Sequence, residues 1–372
     1  EMMGDLGFGW GKGAAWRGGV VDAIDPGMQG RISEWRKSGL NIMMSEKSEA
    51  KPVSFLEDCA VELKDLAEYT DKLTAIFDRN GVKGTWYAHA SVGCLHVRPV
   101  LNMKQVGGAE TMRAIAEEAF ELVRSFGGSH SGEHGDGIVR SEFNDRMFGP
   151  VLPDLFRQVK AMFDPQGMFN PGKITDAPKM DDRELFRFAP GYEVEDFDSV
   201  LDWAAWPGAA GGFQGAVEMC NNNGACRKLS GGVMCPSYRA TRNERDAVRG
   251  RANSLRLAMS GQLGPGAMAS DEMAETMKLC VSCKACKREC PVGVDMARMK
   301  VEVTAARAAK HGIPLHDRLI GNLPAYAPLA SGLSGLSNLV QSVWRHVPGL
   351  ASLVSRLTGF TTKRALPKWH SN

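Results

Sequence analysis

The segment CVSCKACKRECP at residues 280–291 places four cysteines within eleven residues, and this spacing constrains the chain more than any other feature. Thiols at this density hold a metal, because a disulfide framework would spread its cysteines along a domain. Seven of the nine cysteines lie between residues 220 and 290, which is typical of a metal-binding framework in a reducing compartment. We therefore expect a metal-bound domain in this part of the chain and a cytoplasmic location.

Length and charge exclude several classes of protein. The chain has 372 residues, 43% of them hydrophobic, so it can hold two or three folded units. A formal net charge of +2 argues against a nucleic-acid-binding protein, and no apolar run reaches the roughly eighteen residues that span a bilayer. The first residue is Glu, which predicts a piece of a longer protein. The glycine-rich run at residues 7–13 lacks the spacing of a nucleotide-binding loop and predicts a flexible surface loop.

The hydrophobic pattern predicts an α+β domain in the N-terminal half of the chain. Residues 51–61 mix apolar and β-branched residues like a strand, and residues 63–81 carry apolar residues at helical spacing. Residues 84–100 are β-rich around a central Gly93, and residues 109–128 again show a helical apolar stripe. This alternation predicts a sheet with helices over one face.

Two places in this domain carry residues suited to metal chemistry. His89 and His96 are seven residues apart, so a straight strand would point them to opposite faces, whereas a bend at Gly93 could bring them together. Glu133 and His134 are adjacent in a glycine-rich loop. Two imidazoles and one carboxylate are a common ligand set for a divalent ion. The alternative is that these histidines are hydrogen-bonded structural residues.

Three motifs carry a resemblance to a known family. They are WYAHASVGCLHVRP (86–99), GGSHSGEHGDG (127–137) and FDPQGMFNPGKI (163–174). In this order and with these gaps, they resemble the C-terminal substrate domain of FAD-linked 2-hydroxy acid dehydrogenases, the D-lactate, glycolate and D-2-hydroxyglutarate group. More narrowly, the chain is similar to large bacterial fused proteins in which a D-2-hydroxyglutarate-type flavin dehydrogenase continues into an iron–sulfur module.

The resemblance implies roles for particular residues. It assigns His89, His96 and Glu133 as ligands of a divalent metal, usually zinc, and His134 as the catalytic base. Many relatives have Asn two residues after the second metal histidine, where this chain has Arg98. Arg98 could pair with a substrate carboxylate through bidentate hydrogen bonds, or it could be a solvated surface residue.

The resemblance also implies an FAD cofactor. In the family, FAD is held mostly by a separate N-terminal domain, and nothing in this chain resembles that domain. The segment from Asn170 to Lys173 lies near the flavin in the family, so these two residues are candidate cofactor contacts. A local alternative is a turn set by Pro171 and Gly172.

The cysteine run also resembles a ferredoxin motif. Cys280, Cys283, Cys286 and Cys290 have the bacterial ferredoxin spacing and are followed by Pro291. In that motif the first three thiolates hold one [4Fe-4S] cluster and the fourth reaches a second cluster. A zinc site is the alternative, although the third closely spaced cysteine and the Cys-Pro pair are unusual for zinc.

A second cysteine set upstream is incomplete. It consists of Cys220, Cys226 and Cys235, with Asn223 at the middle position. In the ferredoxin crossover arrangement, Cys235 completes the cluster held by the first three cysteines of the run. Cys290 then joins Cys220 and Cys226 at a second cluster whose fourth ligand is unidentified. The alternative is one cluster held by the four cysteines of the run, and the spacing allows both arrangements.

These observations predict four segments. Residues 1–178 would be the FAD-linked oxidase C-terminal domain and residues 179–218 a linker. Residues 219–310 would be a small helical ferredoxin-like domain, and residues 311–372 a helical tail that leads to a further domain. Within the third segment, the arginine-rich stretch 238–261 predicts a solvated or interface helix face rather than a nucleic-acid stripe.

The expected function is oxidation of a D-2-hydroxy acid to the 2-oxo acid by hydride transfer to FAD. Electrons would leave through the iron–sulfur clusters to a downstream acceptor, either a quinone or an electron carrier. The alternative function is a non-catalytic electron-transfer subunit with a relic substrate domain. A homo-oligomer and peripheral attachment at the inner face of a membrane are further expectations.

Overall fold

Two hydrophobic cores organise the chain. In a computed structural model, which describes residues 22–361 and 363–371, the first core lies between a four-stranded sheet and two long helices. The second core lies among short helices that surround the cysteines. This arrangement confirms the predicted α+β domain followed by a helical domain. The glycine-rich run at residues 7–13 lies outside the described residues.

The sheet is antiparallel and is built around its last strand. Its strands are β1 (Lys51–Pro52), β2 (Leu56–Ala60), β3 (Gly84–His89) and β4 (Cys94–Leu101). Each of the first three strands pairs with β4 in antiparallel register. The stretch 51–61, predicted as one strand, contains two short strands separated by residues 53–55.

Two amphipathic helices cover the sheet. The helices of the first domain are α1 (Pro26–Met44), α2 (Leu66–Arg79), α3 (Val106–Ser125), α4 (Asn144–Phe148) and α5 (Val151–Phe163). Helices α2 and α3 bury their apolar stripes in the first core, which confirms the helices predicted at residues 63–81 and 109–128. Helix α1 has no fully buried residue and begins at Pro26, where the Asp25 side chain accepts a hydrogen bond from the amide of Met28.

The hairpin between β3 and β4 reverses direction at Gly93. This residue has a φ of +69°, in the left-handed region that favours glycine. A Cβ added at Gly93 would lie 1.9 Å from the carbonyl oxygen of Val61. The amide of Val61 in turn donates to the carbonyl of Gly93 at 3.1 Å. The turn is therefore held against the residue that follows β2.

The second domain is entirely helical. Its helices are α6 (Phe213–Glu218), α7 (Pro236–Thr241), α8 (Val248–Met259), α9 (Asp271–Lys278), α10 (Ala285–Glu289) and α11 (Met296–His311). Helices α12 (Leu315–Gly321), α13 (Leu323–Gly332), α14 (Ser334–His346) and α15 (Pro348–Thr358) follow. No helix within the described residues is both long and apolar enough to cross a membrane.

Part of the stretch predicted as a linker, residues 179–218, packs on the helical domain. Glu302 on α11 is 2% exposed. Its carboxylate accepts hydrogen bonds from the amides of Val200 and Leu201 at 2.9 and 3.0 Å and from the indole of Trp203 at 2.7 Å. Trp203 itself belongs to the second core. The buried Glu302 thus attaches residues 200–203 to the helical domain. The Asp, Gly and Trp content of this stretch had suggested a linker.

The Gly93 turn leads to a stability prediction. Gly93→Ala should lower the free energy of unfolding by roughly 2 kcal/mol more than Gly81→Ala, because Val61 must move to admit the methyl group. Gly81 is a matched control, since it has a φ of +66° and nothing within 4 Å of an added Cβ; its substitution should cost roughly 1–2 kcal/mol. Urea unfolding of the two variants measures the difference. Equal losses would contradict the packing of Val61 against this turn.

Candidate active site and cysteine centres

The β3–β4 hairpin sets two histidines on one face of the sheet. Tyr87 lies opposite His96, and His89 lies opposite Cys94. The two histidines are therefore diagonal neighbours on the same face, with ring centroids 4.9 Å apart and planes at 87°. The hairpin thus brings together two residues that a straight strand would separate.

Glu133 lies at the centre of three imidazoles. Its Oε1 is 3.0 Å from Nε2 of His96, 3.3 Å from Nε2 of His134 and 3.6 Å from Nε2 of His89. The rings of His96 and His134 stack with centroids 5.0 Å apart. The structure thus brings together the four residues of the first domain that the sequence singles out for metal and proton chemistry.

Asp58 holds the loop that carries Glu133 and His134. The register of β2 shifts between Glu57 and Cys59, and Asp58 has a φ of +74° at this bulge. Its Oδ2 accepts hydrogen bonds from the amide of Glu133 at 2.8 Å and from the amide of His134 at 2.5 Å. Asp58 is 0% exposed. The loop is therefore fixed to the sheet through a carboxylate shielded from water.

Arg140 completes this attachment. Its guanidinium pairs with the carboxylate of Asp58 and donates to the carbonyls of His130 at 3.3 Å and Gly135 at 2.6 Å. Burial alone would raise the pKa of Asp58, but the amide of His134 and the guanidinium of Arg140 outweigh burial and hold that pKa below its usual value. Asp58 is therefore ionised at neutral pH.

Burial also controls the protonation of His96. The side chain is 6% exposed, and desolvation lowers its pKa, although the charge of Glu133 acts in the opposite direction. Its Nδ1 is buried and has no hydrogen-bond partner among the described residues. A neutral imidazole is the form that binds a metal ion, so this environment suits His96 to ligation.

Two sets of three residues have ligand atoms close enough for one ion. They are His89, His96 and Glu133, and alternatively Glu57, His96 and His134, with ligand atoms within 4.8 Å of one another in each set. Two imidazoles with one carboxylate fit a divalent ion such as zinc. Both sets share His96, so the site can hold an ion in one of the two arrangements.

Arg98 is held in place and is not a solvated surface residue. It is 8% exposed, its guanidinium pairs with the carboxylate of Glu57, and its Nε donates to Oγ of Ser54 at 2.9 Å. Burial raises the pKa of Glu57, but hydrogen bonds from Ser54 and Arg98 outweigh burial and lower it. The charge of Arg98 is therefore balanced by Glu57 within the chain.

A second arginine reaches the same pocket from α1. Arg36 lines the pocket together with the three histidines, Glu133 and Arg98, and its Nη2 donates to the phenol oxygen of Tyr87 at 3.2 Å. No carboxylate within the described residues forms an ion pair with Arg36. Arg36 thus gives the pocket a positive charge that no carboxylate of the described residues neutralises.

The two candidate flavin contacts lie outside this pocket. Asn170 and Lys173 are exposed, and Nζ of Lys173 donates to Oδ1 of Asn170 at 3.3 Å. The next residue, Ile174, donates its amide to the carbonyl of Gly137 at 3.2 Å. The segment is therefore attached to the loop of Glu133 while its polar side chains stay accessible.

In the second domain, one pocket gathers cysteines from both cysteine sets. It is lined by Cys235 together with Cys280, Cys283 and Cys286. Burial raises the pKa of Cys286 to about 11, against hydrogen bonds from the backbone amides at the start of α11. Such a thiol releases its proton when metal binds. Cys235 thus lies with the first three cysteines of the run, as the crossover arrangement requires.

The other three cysteines lie near one another. Cys220 and Cys226 are buried, which raises the pKa of both thiols, and Cys290 is close enough to raise each pKa further. None of the three lines the pocket that contains Cys235. The side chain of Asn223 is exposed and bonds with Asn221 and the amide of Ala225.

The separation of the sulfurs bears on the zinc alternative. Among the described residues, no three cysteine sulfurs lie within 4.8 Å of one another. Four thiolates around a single zinc ion lie about 3.8 Å apart, given Zn–S bonds of about 2.3 Å. The described residues therefore include no three cysteine sulfurs arranged for a single zinc ion.

Several residues of the site carry no strong signal in the sequence. Asp58, Arg140 and Glu57 act through contacts with residues more than forty positions away, and Arg36 reaches the pocket from 51 positions before Tyr87. For Asp58, the only signal in the sequence is that a charged residue lies within a predicted strand. A pattern cannot reveal which distant group such a residue contacts.

Comparisons with known proteins agree with both domains. Residues 13–174 match the family described as FAD linked oxidases, C-terminal domain, and residues 216–294 match the family described as 4Fe-4S dicluster domain. The chain therefore carries an FAD linked oxidase C-terminal domain and an iron–sulfur domain, which confirms the resemblance of its motifs. These two domains support FAD and iron–sulfur clusters as the cofactors.

The chain is also similar to individual dehydrogenases. It is 30% identical to a D-2-hydroxyglutarate dehydrogenase of Pseudomonas putida over 84% of the chain and 34% of that protein. A protein of the same name from Escherichia coli is 30% identical over 80% of the chain and 32% of its own length. A D-lactate dehydrogenase of Archaeoglobus fulgidus is 30% identical over 36% of the chain and 29% of its own length. The chain spans about a third of the length of these two D-2-hydroxyglutarate dehydrogenases.

The Asp58–Arg140 pair leads to a prediction with a pH dependence. Asp58→Asn should lower the free energy of unfolding by about 3–5 kcal/mol at neutral pH, because it leaves the Arg140 charge buried and unpaired. The folded-state pKa of Asp58 lies below its usual value. Its stabilisation is therefore present above the unfolded-state pKa and is lost as pH falls through the folded-state pKa. Unfolding in urea at several pH values should show the two proteins converging in acid.

Glu118→Gln provides the matched control. Glu118 pairs with Arg79 at 2.6 Å, but both side chains are largely exposed, so its loss should cost under about 1 kcal/mol. Similar losses for the two substitutions, or a difference that persists in acid, would contradict the role given to Asp58.

Proposed function

We propose that this chain, an FAD linked oxidase C-terminal domain joined to an iron–sulfur domain, serves a dehydrogenase that oxidises a D-2-hydroxy acid to the 2-oxo acid. The substrate would be of the D-2-hydroxyglutarate or D-lactate class. The observation that carries the proposal is the convergence of His89, His96, Glu133 and His134 in one pocket. The names of the relatives support the substrate class.

Each residue of the pocket has a part in this proposal. A divalent ion held here would supply positive charge that makes the substrate hydroxyl more acidic, and FAD would supply the hydride acceptor. His89, His96 and Glu133 would hold the ion. We prefer this set to Glu57, His96 and His134 because Glu57 already pairs with Arg98, whereas Glu133 contacts three imidazoles.

His134 would accept the hydroxyl proton. Its Nε2 lies 3.3 Å from Oε1 of Glu133, and its Nδ1 lies 4.0 Å from Oε1 of Glu57. With Glu133 engaged by the ion, Glu57 would be the carboxylate that favours a proton on Nδ1, which leaves Nε2 as the basic nitrogen. The exposed position of His134 allows a substrate to approach this nitrogen. Glu57 would thus orient the base without contacting the substrate.

Arg36 and Arg98 would position substrate carboxylates. Arg98 is already paired with Glu57, so its positive charge is partly neutralised before a substrate carboxylate binds. Arg36 has no such partner within the described residues, and its planar guanidinium suits bidentate binding of a carboxylate. We therefore assign the main carboxylate contact to Arg36 and a secondary contact to Arg98.

Asn170 and Lys173 would contact FAD brought by another part of the protein. Their side chains are exposed on a segment attached to the Glu133 loop, which fits a contact with a group that this chain does not enclose. Electrons would then pass to two clusters. Cys235, Cys280, Cys283 and Cys286 would hold one cluster, and Cys220, Cys226 and Cys290 would bind the other.

The role of His134 can be tested in the full-length protein with FAD bound. His134→Ala should slow flavin reduction by a D-2-hydroxy acid by about 10² or more, because proton removal loses its acceptor. Bound metal should stay unchanged in this variant, whereas His96→Ala should lose the metal. Stopped-flow absorption and elemental analysis measure the two effects. An unchanged reduction rate in His134→Ala would remove its role as the base.

The cluster arrangement can be tested by anaerobic reconstitution with iron and sulfide. Broad visible absorption and about eight irons per chain are expected for two clusters, against about four for one cluster. Cys235→Ser should lower the iron content, because Cys235 lines the pocket of the first cluster. Cys59→Ser, in the core of the first domain, is the control and should leave iron unchanged. Full iron in Cys235→Ser would favour the single-cluster arrangement, and zinc in place of iron would contradict electron transfer.

A further inference from the structure

A fully buried arginine lies beside the cysteine pocket. Arg251 on α8 is 1% exposed, although the arginine-rich stretch 238–261 predicts a solvated or interface helix face. Its Nη1 lies 3.9 Å from Sγ of Cys235 and donates to Oγ of Ser237 at 3.0 Å. The hydroxyl of Ser237 is itself 3.2 Å from that sulfur. A permanent positive charge and a hydroxyl therefore both lie next to one cluster ligand.

The charge of Arg251 is only partly balanced. Asp246 is 2% exposed, and its Oδ1 lies 3.7 Å from Nη2 of Arg251, too far for a hydrogen bond. Within the described residues, neither of these two atoms has a hydrogen-bond partner. Arg251 also donates from Nε to the carbonyl of Thr276 at 2.9 Å and from Nη1 to the carbonyl of Asp246 at 2.7 Å. These neutral acceptors hold the guanidinium in place but do not cancel its charge beside the cysteines.

The two charges are not equally close to the cysteines. Arg251 lines the pocket of Cys235, Cys280, Cys283 and Cys286, whereas Asp246 does not line it. A cluster bound in this pocket would therefore be nearer to the guanidinium of Arg251 than to the carboxylate of Asp246. Because a reduced cluster carries one more negative charge than an oxidised cluster, the nearer positive charge stabilises the reduced form.

We propose that Arg251 is a positioning residue that raises the reduction potential of the cluster in this pocket, and that Asp246 moderates its effect. A higher potential makes this cluster a better acceptor of electrons from the flavin side. The inference rests on the proposed ligation by Cys235, Cys280, Cys283 and Cys286. The net charge near a cluster and hydrogen bonds to its sulfurs are established determinants of its potential.

The test is an anaerobic redox titration of the reconstituted chain, followed by electron paramagnetic resonance. Arg251→Met should lower the potential, so that the ratio of reduced to oxidised cluster at fixed poise falls about tenfold, or ~59 mV for one electron. Arg251→Lys should restore most of the loss, since it keeps the charge. Asp246→Asn should shift the potential upward, because it removes the opposing charge.

The reduction potential should shift in opposite directions in Arg251→Met and Asp246→Asn, and this difference distinguishes an electrostatic effect from structural damage. A role in folding alone would make Arg251→Met and Asp246→Asn lose iron or shift the potential in the same direction. Arg245→Met, which removes an exposed cation next to Asp246, should leave the potential unchanged. If Arg251→Met does not assemble a cluster, the direction of the shift in Asp246→Asn decides. A downward or absent shift in Asp246→Asn would overturn the proposal.

Iron content distinguishes a failure of the proposed role of Arg251 from a failure of the proposed cysteine ligation. A wild-type chain that binds no iron would contradict the ligation itself. A wild-type chain that binds iron, with the potential unmoved in Arg251→Met at full iron content, would contradict only the role of Arg251.

Discussion

The ion pair between Asp58 and Arg140 is the interaction on which the candidate active site depends. The hairpin alone supplies only His89 and His96, while Glu133 and His134 come from a loop that forms no strand or helix of its own. Asp58 binds the amides of both loop residues, and Arg140 binds Asp58 and two loop carbonyls. Because the side chains of Asp58 and Arg140 are both buried, water competes little for these contacts, and the loop is held where its side chains meet the hairpin.

The same sheet connects this site to the cysteine domain. Strand β4 carries His96 and leads toward Lys104, whose Nζ lies 2.6 Å from Oε2 of Glu218 with both side chains mostly buried. Glu218 ends α6, two residues before Cys220. A partly buried ion pair thus fixes the strand that carries a candidate metal ligand next to a cysteine set. This contact connects the candidate active site and the cysteine centres within one chain.

The predictions made from the sequence agree best with the structure where a local pattern determines the conformation. The bend at Gly93 and the helices α2 and α3 follow from glycine and from apolar periodicity, and these predictions agree with the structure. Asp58 was missed because its role comes from a bulge and from a loop that lies 75 residues away. The sequence predicts a solvated or interface face for α8, but Arg251 is 1% exposed within the chain, since charge content does not reveal which face of a helix is buried. Trp203 was placed in a linker because its partner, Glu302, is 99 residues away.

The choice of metal ligands is the centre of this account, since it decides whether His134 is free to accept a proton. Anomalous X-ray scattering at the zinc edge, from crystals of the chain soaked in zinc, tests it most directly. The account predicts one zinc ion about 2.0–2.2 Å from Nε2 of His89, Nε2 of His96 and a carboxylate oxygen of Glu133. An ion bound instead by Glu57, His96 and His134 would occupy the proposed base and contradict the account.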